Sequence, residues 1–297
     1  MEKRAFGKTD MKVSVLGFGG AEIGFESADQ ATVRELLSMA LDEGLNVIDT
    51  AECYANSEEL IGNAIATRRQ DFYLFTKCGH GPNFSDEWAG HQITKTIDRS
   101  LKRLKTDCVD LVQLHSCDEK VLAKGEAIDA LQRAQKAGKT RYIGYSGDGN
   151  DALYAIKTGV FDTLQTSVSI ADQQALELTI PLALKAGIGV IAKRPIANAV
   201  WKNKTKPSNT YHQEYWDRLQ ELKYDFINGD LEEPAIRALR FTLSVEGVHT
   251  AIVGTTKPSR WQQNTKIVAL GKLDDKDFKS IRARWKEIAS PEWVGQV

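Results

Sequence analysis

Residues 33–49 read VRELLSMALDEGLNVID, which is an amphipathic helical run, a glycine and a short apolar run. In the helical run, Val33, Leu36 and Leu37 share the face that a helix packs against a core. Gly44 then stands where the helix should end, because glycine accepts the left-handed conformation that closes a helix. The apolar run that follows is too short for a helix and contains β-branched residues, so we predict a buried strand.

The same unit recurs along the chain. Four further helical runs end at a glycine before an apolar run, at Gly138, Gly159, Gly187 and Gly247. Eight candidate strands, each followed by a candidate helix, lie at residues 13–18, 46–49, 72–77, 109–115, 141–145, 164–168, 189–193 and 250–253. Eight alternating pairs predict an α/β protein with a parallel sheet, and eight strands close a (β/α)8 TIM barrel. A doubly wound open sheet is the alternative.

Three segments lie outside this repeat and complete a single predicted domain over residues 1–297. Residues 1–12 predict an N-terminal β-hairpin across the barrel floor. Residues 195–231 form a long loop after strand seven, with one helical stretch that is expected to end at Gly229. Residues 271–297 predict an extra C-terminal helix and a tail.

The charge balance gives no reason to expect nucleic acid or an anionic membrane as a partner. The chain has 39 basic and 40 acidic residues, a net charge of -1, and 42% hydrophobic residues. This composition is ordinary for a soluble globular protein, and no apolar run approaches the ~18 residues of a membrane-spanning helix. The polar N-terminus resembles no signal or transit peptide, so we expect a cytoplasmic protein. The oligomeric state is not predictable from these features.

The cysteines indicate neither a disulfide framework nor a structural zinc site. Cys53, Cys78, Cys108 and Cys117 form no C-x-x-C pair, and no histidine cluster accompanies them. We interpret them as free thiols in a reducing compartment and expect no bound metal.

Polar side chains stand where the predicted strands end, which is where barrel enzymes carry their chemistry. Strand two ends at Asp49, strand three at Lys77 and strand four at His115, while Tyr54 follows in the loop after Asp49. Each has an ordinary structural explanation as a helix cap, a solvated strand end, a core histidine or a loop anchor. Together they indicate a site, because a lysine at a barrel mouth needs a partner and Asp49 is on the adjacent strand.

This group of residues suits proton donation by a tyrosine. A free tyrosine has a pKa near ~10 and is a poor acid at neutral pH. A lysine ammonium within ~4–6 Å stabilises the phenolate, so we expect Lys77 to lower the pKa of Tyr54 while Asp49 keeps Lys77 charged. Tyr54 is then a general acid toward a carbonyl oxygen. His115 is placed to orient the same carbonyl and to stabilise developing negative charge.

The sequence around these residues resembles the aldo-keto reductase family. DTAECY at residues 49–54 is similar to the family's motif around its aspartate and tyrosine. FTK at residues 75–77 resembles its lysine motif, and DLVQLH at residues 110–115 resembles its histidine strand. The resemblance extends over residues 5–270, nearly the whole chain.

The resemblance implies an (α/β)8 barrel that transfers a hydride from NADPH to an aldehyde or ketone, and the reverse, without a metal. It implies Tyr54 as the proton donor, Lys77 and Asp49 as the residues that tune it, and His115 as the residue that orients the substrate.

A phosphate site is expected after the last strand, where residues 254–260 read GTTKPSR. Barrels often bind phosphate after strands seven and eight, at the N-terminus of a short helix. Free backbone N–H groups and hydroxyls suit an anion there, and Arg260 can bind a phosphate bidentately.

The resemblance extends this phosphate site to a full set of cofactor contacts and favours NADP over NAD. The 2′-phosphate and the adenine are assigned to the loop after strand eight. The carboxamide and the pyrophosphate are assigned to the ends of strands five to seven and the loops that follow them. The residues are Gly19, Gly20, Ala21, Asp49, Ser146, Gln165, Arg194, Asn198, Gly254, Thr255, Thr256, Lys257, Arg260, Gln263 and Asn264.

Two positions depart from the family pattern near the nicotinamide. Gly147 follows Ser146 where the family has an amide side chain, and Val168 stands where an aromatic ring often stacks on the nicotinamide. Without compensation, these changes would weaken cofactor binding by of order ~1–3 kcal/mol.

Other functions remain open at this point. A barrel of this kind can act as a nicotinamide-sensing binding module with little turnover. A Schiff-base lyase would need a Lys77 of lowered pKa, which Asp49 opposes, and a glycosidase would need Asp49 and Glu52 as its carboxylate pair. Trp88, Trp201 and Trp293 either wall an apolar substrate pocket, which would suit aromatic or medium-chain carbonyls, or pack the loops onto the barrel.

Overall fold

Ten strands occur in the computed structural model, which describes residues 1–80, 88–228 and 232–296. The first two, β1 (Lys3–Ala5) and β2 (Lys12–Ser14), pair antiparallel as a hairpin. The other eight are parallel and form a closed barrel in chain order, with the last strand pairing with the first. They are β3 (Leu16–Gly19), β4 (Val47–Asp49), β5 (Tyr73–Cys78), β6 (Val109–His115), β7 (Thr140–Ser146), β8 (Thr163–Ser167), β9 (Gly189–Lys193) and β10 (Thr250–Val253).

The predicted TIM barrel is confirmed, and the open sheet is excluded because β10 pairs with both β3 and β9. One strand prediction is wrong. The apolar run at residues 13–18 is two strands, because its first part pairs with β1 and its second part with the barrel. Between them the Val15 N–H bonds to the Glu2 carbonyl oxygen, at 3.0 Å. The hairpin is confirmed, but its second strand extends two residues beyond the predicted boundary at residue 12.

The hairpin closes the N-terminal end of the barrel. Phe6 stacks on Phe75 with ring centroids 6.0 Å apart, and both are fully buried. Gly189 begins β9 beneath this ring, where a Cβ atom would lie 2.7 Å from Phe6. The cluster under the barrel is Phe6, Met11, Val13, Val47, Phe75, Leu111 and Ile191. Since these side chains fill the floor, the opposite, C-terminal end is left for ligands.

Helices surround the barrel and follow the predicted alternation. They are α1 (Ala21–Phe25), α2 (Gln30–Asp42), α3 (Ser57–Ile65), α4 (Gly90–Leu104), α5 (Glu119–Lys124), α6 (Glu126–Lys136), α7 (Gly149–Lys157), α8 (Ala175–Leu178), α9 (Ile180–Lys185), α10 (Thr210–Leu222), α11 (Glu233–Ser244), α12 (Pro258–Ala269) and α13 (Asp275–Ile288). In α2 the predicted apolar face is buried, and Asp29 caps the helix by accepting hydrogen bonds from the N–H groups of Ala31 and Thr32. Gly44 has the left-handed φ of +92° that its position requires.

The long loop after β9 contains a 3-10 turn (Ala197–Lys202), α10 and a second 3-10 turn (Asp225–Asn228). The predicted helix end at Gly229 is wrong, because α10 ends at Leu222, where Lys223 takes the left-handed conformation that closes it. Gly229 itself lies outside the described residues. The predicted C-terminal helix is α13, and the tail behind it returns to the barrel mouth, where Arg218 donates a 2.7 Å hydrogen bond to the Val294 carbonyl oxygen. In the described parts of the chain, no helix combines the length and apolar character needed to cross a bilayer.

Candidate active site

The ends of three adjacent strands bring the predicted catalytic side chains together. Asp49 ends β4, Lys77 lies near the end of β5, and His115 ends β6. Strand β4 pairs with β5, and β5 pairs with β6, all in parallel. The three side chains therefore emerge at the same rim of the barrel, as the sequence predicted.

A buried ion pair between Lys77 and Asp49 lies at the centre of this rim. The Lys77 Nζ donates to Asp49 Oδ2 at 2.5 Å and to the Thr50 carbonyl oxygen at 2.9 Å. Asp49 Oδ1 accepts hydrogen bonds from the Nε2 atoms of Gln113 at 3.2 Å and Gln165 at 3.0 Å. Burial is the largest single influence and opposes the charge on Lys77, but the Asp49 carboxylate together with Tyr54 and Cys53 outweighs it, so the pKa of Lys77 is raised. The pair is thus ionised and well hydrogen-bonded, as a buried ion pair must be.

Tyr54 lies beside this pair. The Lys77 Nζ donates a long hydrogen bond of 3.5 Å to Tyr54 Oη and lies 4.9 Å from the centre of its ring. Phe25 of α1 packs against the same ring with centroids 5.6 Å apart. Gly24 permits this approach, because a side chain there would collide with the Tyr54 carbonyl group.

The expected lowering of the Tyr54 pKa is wrong as a net effect. Burial raises the pKa of Tyr54 to about 12, and the Lys77 ammonium offsets only part of that rise. The contribution of the lysine has the predicted sign, but desolvation of the phenolate is larger. The phenol therefore keeps its proton throughout the neutral range.

His115 faces Tyr54 across the mouth. The two rings meet edge to face with centroids 5.7 Å apart. Burial, followed by the charge of Lys77, lowers the pKa of His115 well below its usual value, so the imidazole is neutral. Desolvation raises the pKa of the Cys53 thiol to about 11, and its Sγ lies 3.4 Å from His115 Nδ1. If the thiol donates to Nδ1, the ring proton lies on Nε2.

Sequence reasoning missed Gln113 and Cys53 as site residues. Gln113 stands two residues before His115 on β6, and residues at that spacing face the same side of a strand. This alternation was a usable signal. Cys53 lies in an irregular loop, where no periodicity predicts which way a side chain points.

The predicted carboxamide residues join the same network. The Ser146 Oγ donates to Gln165 Oε1 at 3.3 Å, and Gln165 in turn bonds to Asp49. Gly147 has no room for the amide side chain of the family pattern, because a Cβ atom there would lie 2.5 Å from Tyr145 Oη. The placement of Val168 at the nicotinamide face is wrong: Val168 is fully buried in the core cluster.

The glycines after β3 lie next to the catalytic pair. The Gly20 N–H donates to the Asp49 carbonyl oxygen at 2.7 Å, and its own carbonyl oxygen accepts from Ser57 Oγ at 2.7 Å. Gly19 pairs with Asp49 in the sheet, and Ala21 begins α1. The structure therefore brings these predicted backbone contacts to the catalytic rim.

The predicted phosphate residues lie together at the start of α12. The Lys257 N–H bonds to Thr255 Oγ1 at 3.1 Å just before the helix. Lys202, from the loop after β9, joins this group, because the charges of Arg260 and Lys257 add to burial in lowering its pKa. One turn further along the helix, Gln263 is exposed and Asn264 is buried with no hydrogen bond to its Nδ2.

Two acids, which sequence reasoning missed, face the same loop. The Thr256 Oγ1 donates to Glu26 Oε2 at 2.8 Å. The Glu22 carboxylate lies against Gly254, where any side chain would collide with it. Burial raises the pKa of Glu22 to about 6. The predicted phosphate site therefore contains cations and carboxylates together.

The two predicted pyrophosphate residues behave differently. Asn198 sits in the left-handed region with φ of +53°, and its buried Nδ2 has no hydrogen-bond partner. Arg194 instead donates from Nε to Tyr211 Oη at 2.6 Å and from Nη1 to Ser167 Oγ at 2.9 Å. Asn198 therefore has a buried donor that a ligand would satisfy, whereas the Nε and Nη1 groups of Arg194 are already hydrogen-bonded.

The three tryptophans do not share one environment. Trp88 packs edge to face on His80, with centroids 5.2 Å apart, and His80 packs likewise on His115. Trp293 packs on Trp285, and Trp201 is half-buried against the core. Trp88 is therefore connected to the catalytic rim, and Trp293 belongs to the tail packing. Within residues 1–80, 88–228 and 232–296, no three acidic, histidine or cysteine side chains are grouped to hold a metal ion.

A parallel barrel with polar side chains at this rim has the architecture of a barrel enzyme whose chemistry lies at the C-terminal ends of its strands. The model of the aldo/keto reductase family matches residues 15–286, and the chain belongs to this family. Membership supports NAD(P)-dependent carbonyl reduction as its general activity.

The chain is similar to family members over nearly its full length. It is 29% identical over 321 residues to L-galactose dehydrogenase of Arabidopsis thaliana, covering 99% of this chain and 97% of the relative. A solved aldo-keto reductase from Bacillus halodurans, in its holo form, superposes with a TM-score of 0.84 at 27% identity, over 98% and 99% of the two chains. A probable voltage-gated potassium channel subunit beta of Arabidopsis thaliana is 27% identical over 308 residues, or 90% and 91% of the two chains.

Proposed function

We propose that this chain is an NADPH-dependent reductase of aldehydes and ketones, with Tyr54 as its proton donor. The observation that carries the proposal is the buried Lys77–Asp49 pair with the Tyr54 hydroxyl 3.5 Å from the ammonium. A buried charge of this kind, placed next to a phenol, stabilises the phenolate that forms when the proton leaves.

The residues present fit a nicotinamide dinucleotide. Asn198 and Asn264 each bury an Nδ2 atom without a hydrogen-bond partner. Because buried donors are normally hydrogen-bonded, a bound ligand would supply the missing acceptors. The start of α12 and its cations suit a 2′-phosphate. The proposed contacts are Gly19, Gly20, Ala21, Ser146, Gln165, Asn198, Gly254, Thr255, Thr256, Lys257, Arg260, Gln263 and Asn264, with Lys202 added.

Proton transfer follows from the geometry of the rim. The nicotinamide supplies the hydride to the carbonyl carbon. Tyr54 Oη donates its proton to the carbonyl oxygen, whose proton affinity rises as it gains negative charge. Lys77 stabilises the resulting phenolate, and Asp49 holds Lys77 charged and in place. In the reverse direction the phenolate accepts the proton of the alcohol.

His115 orients the carbonyl group. With the Cys53 thiol donating to Nδ1, the neutral imidazole carries its proton on Nε2 and donates a hydrogen bond to the oxygen without competing as an acid. The donor also stabilises the negative charge that develops on this oxygen.

The test is consumption of NADPH with 4-nitrobenzaldehyde. We expect saturable turnover by the wild-type protein and a Tyr54→Phe variant with kcat lowered by ~10²–10⁴. Titration of NADPH fluorescence should give the same Kd for both proteins, because Tyr54 is not a cofactor contact. Unchanged turnover by Tyr54→Phe would refute its role as the acid.

A nicotinamide-sensing binding module is the second candidate, favoured by the similarity to a probable potassium channel subunit beta. It predicts tight NADPH binding without turnover over a broad panel of carbonyl compounds. The NADP preference itself is tested by titrating NADPH and NADH side by side, with NADPH expected to bind more tightly.

A further inference from the structure

Two cations converge on one neutral oxygen at the barrel mouth. The carbonyl oxygen of Gln296, in the C-terminal tail, accepts hydrogen bonds from Lys193 Nζ at 3.2 Å and from Arg194 Nη1 at 2.6 Å. Lys193 also pairs with the Asp148 carboxylate at 2.8 Å, which balances one of the two positive charges. The second positive charge contacts the dipole of the Gln296 carbonyl group. An anion in the same place would stabilise that charge more strongly.

The second charge lies on Arg194, and the buried carboxylates of Asp148 and Asp172 act on it from beyond ion-pair distance. Its guanidinium is half-buried and bonds to the Tyr211 hydroxyl, the Ser167 hydroxyl and the Gln296 carbonyl oxygen, all of which are neutral. It forms no ion pair with any residue in the described parts of the chain. Because water is partly excluded here, a carboxylate that reached the guanidinium would gain more than it would at the surface.

This guanidinium lies one layer above the catalytic residues. Ser167, which Arg194 contacts, stands two residues after Gln165 on β8, and Gln165 bonds to Asp49. Residues at that spacing lie on one face of a strand and about 6.5 Å apart. The charge of Arg194 also contributes to the depressed pKa of His115, after burial and other cations. A small substrate can therefore contact both the guanidinium of Arg194 and the catalytic residues at the rim.

The Arg194 side chain and the proposed phosphate-binding residues lie in different parts of the barrel mouth. Strand β9 lies between β8 and β10 in the barrel. Arg194 follows β9 and reaches over β8 to Ser167, whereas the proposed phosphate residues follow β10. From the same loop, Lys202 is the cation beside Lys257 and Arg260. The two cationic regions thus lie on opposite sides of β9.

We propose that Arg194, assisted by Lys193, binds a carboxylate of the substrate, so that this chain reduces carbonyl compounds that carry a carboxylate, such as oxo acids. The proposal rests on the reductase function above. The carboxylate takes the position of the Gln296 carbonyl oxygen, and Arg194 can present two N–H groups to it. Aromatic rings remain suitable as the body of such a substrate, beside Trp88 and His80.

The test compares two aldehydes of similar size, 4-carboxybenzaldehyde and 4-nitrobenzaldehyde. The two have similar shapes, but only the first is an anion at neutral pH, and its carboxylate withdraws electrons far less than the nitro group does, so intrinsic reactivity favours the nitro compound. We expect wild-type kcat/KM to be roughly tenfold higher or more for the carboxylated aldehyde. In Arg194→Gln the KM for 4-carboxybenzaldehyde should rise about 10–100-fold. Its kcat, and both the kcat and the KM for 4-nitrobenzaldehyde, should stay within about threefold of the wild-type values.

Two further variants control the experiment. Arg194→Lys keeps the charge but loses the planar guanidinium, so its KM for 4-carboxybenzaldehyde should lie between those of the wild type and Arg194→Gln. It replaces the glutamine variant if that variant does not fold. Arg34→Gln removes one positive charge from the exposed face of α2, and both aldehydes should behave as in the wild type.

Binding measurements separate this proposal from the reductase function. Benzoate, with benzamide as its neutral counterpart, is titrated into wild-type protein and Arg194→Gln. Benzoate binding that is lost in the variant supports the subsite even if no aldehyde is turned over, and absence of that binding overturns it. Equal losses for both aldehydes, or weaker NADPH binding by Arg194→Gln, would also overturn it and return Arg194 to the cofactor.

Discussion

The Tyr54 hydroxyl is subject to two opposing effects. Burial disfavours the phenolate, the Lys77 ammonium favours it, and the net pKa is about 12. The sequence predicts both residues, because each stands at or just after a strand end. It does not predict which effect is larger, since that depends on a 3.5 Å distance and on the packing of Phe25 over the ring.

Glu26 provides a single-residue test of the proposed NADPH site. Its carboxylate accepts a hydrogen bond from Thr256 within the proposed phosphate site. Glu26→Gln keeps an acceptor but removes the negative charge, so the Kd of NADPH should fall about 3–10-fold while that of NADH changes less than about twofold. Fluorescence titration measures both values. Glu246→Gln, in the loop at the barrel floor, is the control, and an equal effect on both nucleotides would count against the assignment.

The N-terminal hairpin shows what periodicity predicts at the scale of elements and where it stops. Residues 13–18 form one continuous apolar run, and local pattern alone cannot reveal that its two parts pair with different partners. The seven other candidate strands lie within one residue of the observed bounds, because each belongs to the barrel along its whole length.

Phe6→Ala tests whether the hairpin is a structural plug. Phe6 is fully buried against Phe75, so the substitution should lower the free energy of unfolding by roughly 3–5 kcal/mol. Phe25→Ala removes the same group from a side chain that is 64% exposed and should cost less than about 1 kcal/mol. Urea denaturation measures both. Equal losses would show that the floor contributes no special stability.

At the scale of the whole molecule, the barrel was predictable and the return of the tail was not. Eight strand–helix pairs, with five strands preceded by a helix-ending glycine, carry their own local signal. The tail binds through main-chain oxygens, as when Arg218 and Arg194 donate to the carbonyls of Val294 and Gln296. Any residue supplies such an oxygen, so no side-chain pattern marks the contact. The tail covers the mouth, and this makes Arg194 a half-buried cation.

The free energy of unfolding should depend on pH through the titration of Glu22. Burial raises its folded-state pKa from 4.5 to about 6. Between these values the folded chain keeps a proton that the unfolded chain releases, so stability is lost as the pH rises, by about 1–2 kcal/mol in all. Glu22→Gln removes this loss. Its advantage in Tm over the wild type should therefore be small near pH 4.5 and largest above about pH 6, and a constant difference across pH would contradict the burial of this carboxylate.

The coupling between Lys77 and Tyr54 is measured most directly by a double-mutant cycle on kcat with 4-nitrobenzaldehyde. Wild type, Tyr54→Phe, Lys77→Met and the double variant are compared, with NADPH titration and circular dichroism confirming that each still folds and binds. If the ammonium acts by stabilising the phenolate, Lys77→Met alone lowers kcat by at least about tenfold, but adding Lys77→Met to Tyr54→Phe lowers it little further. Losses that multiply independently would show that the lysine does not act through the phenol.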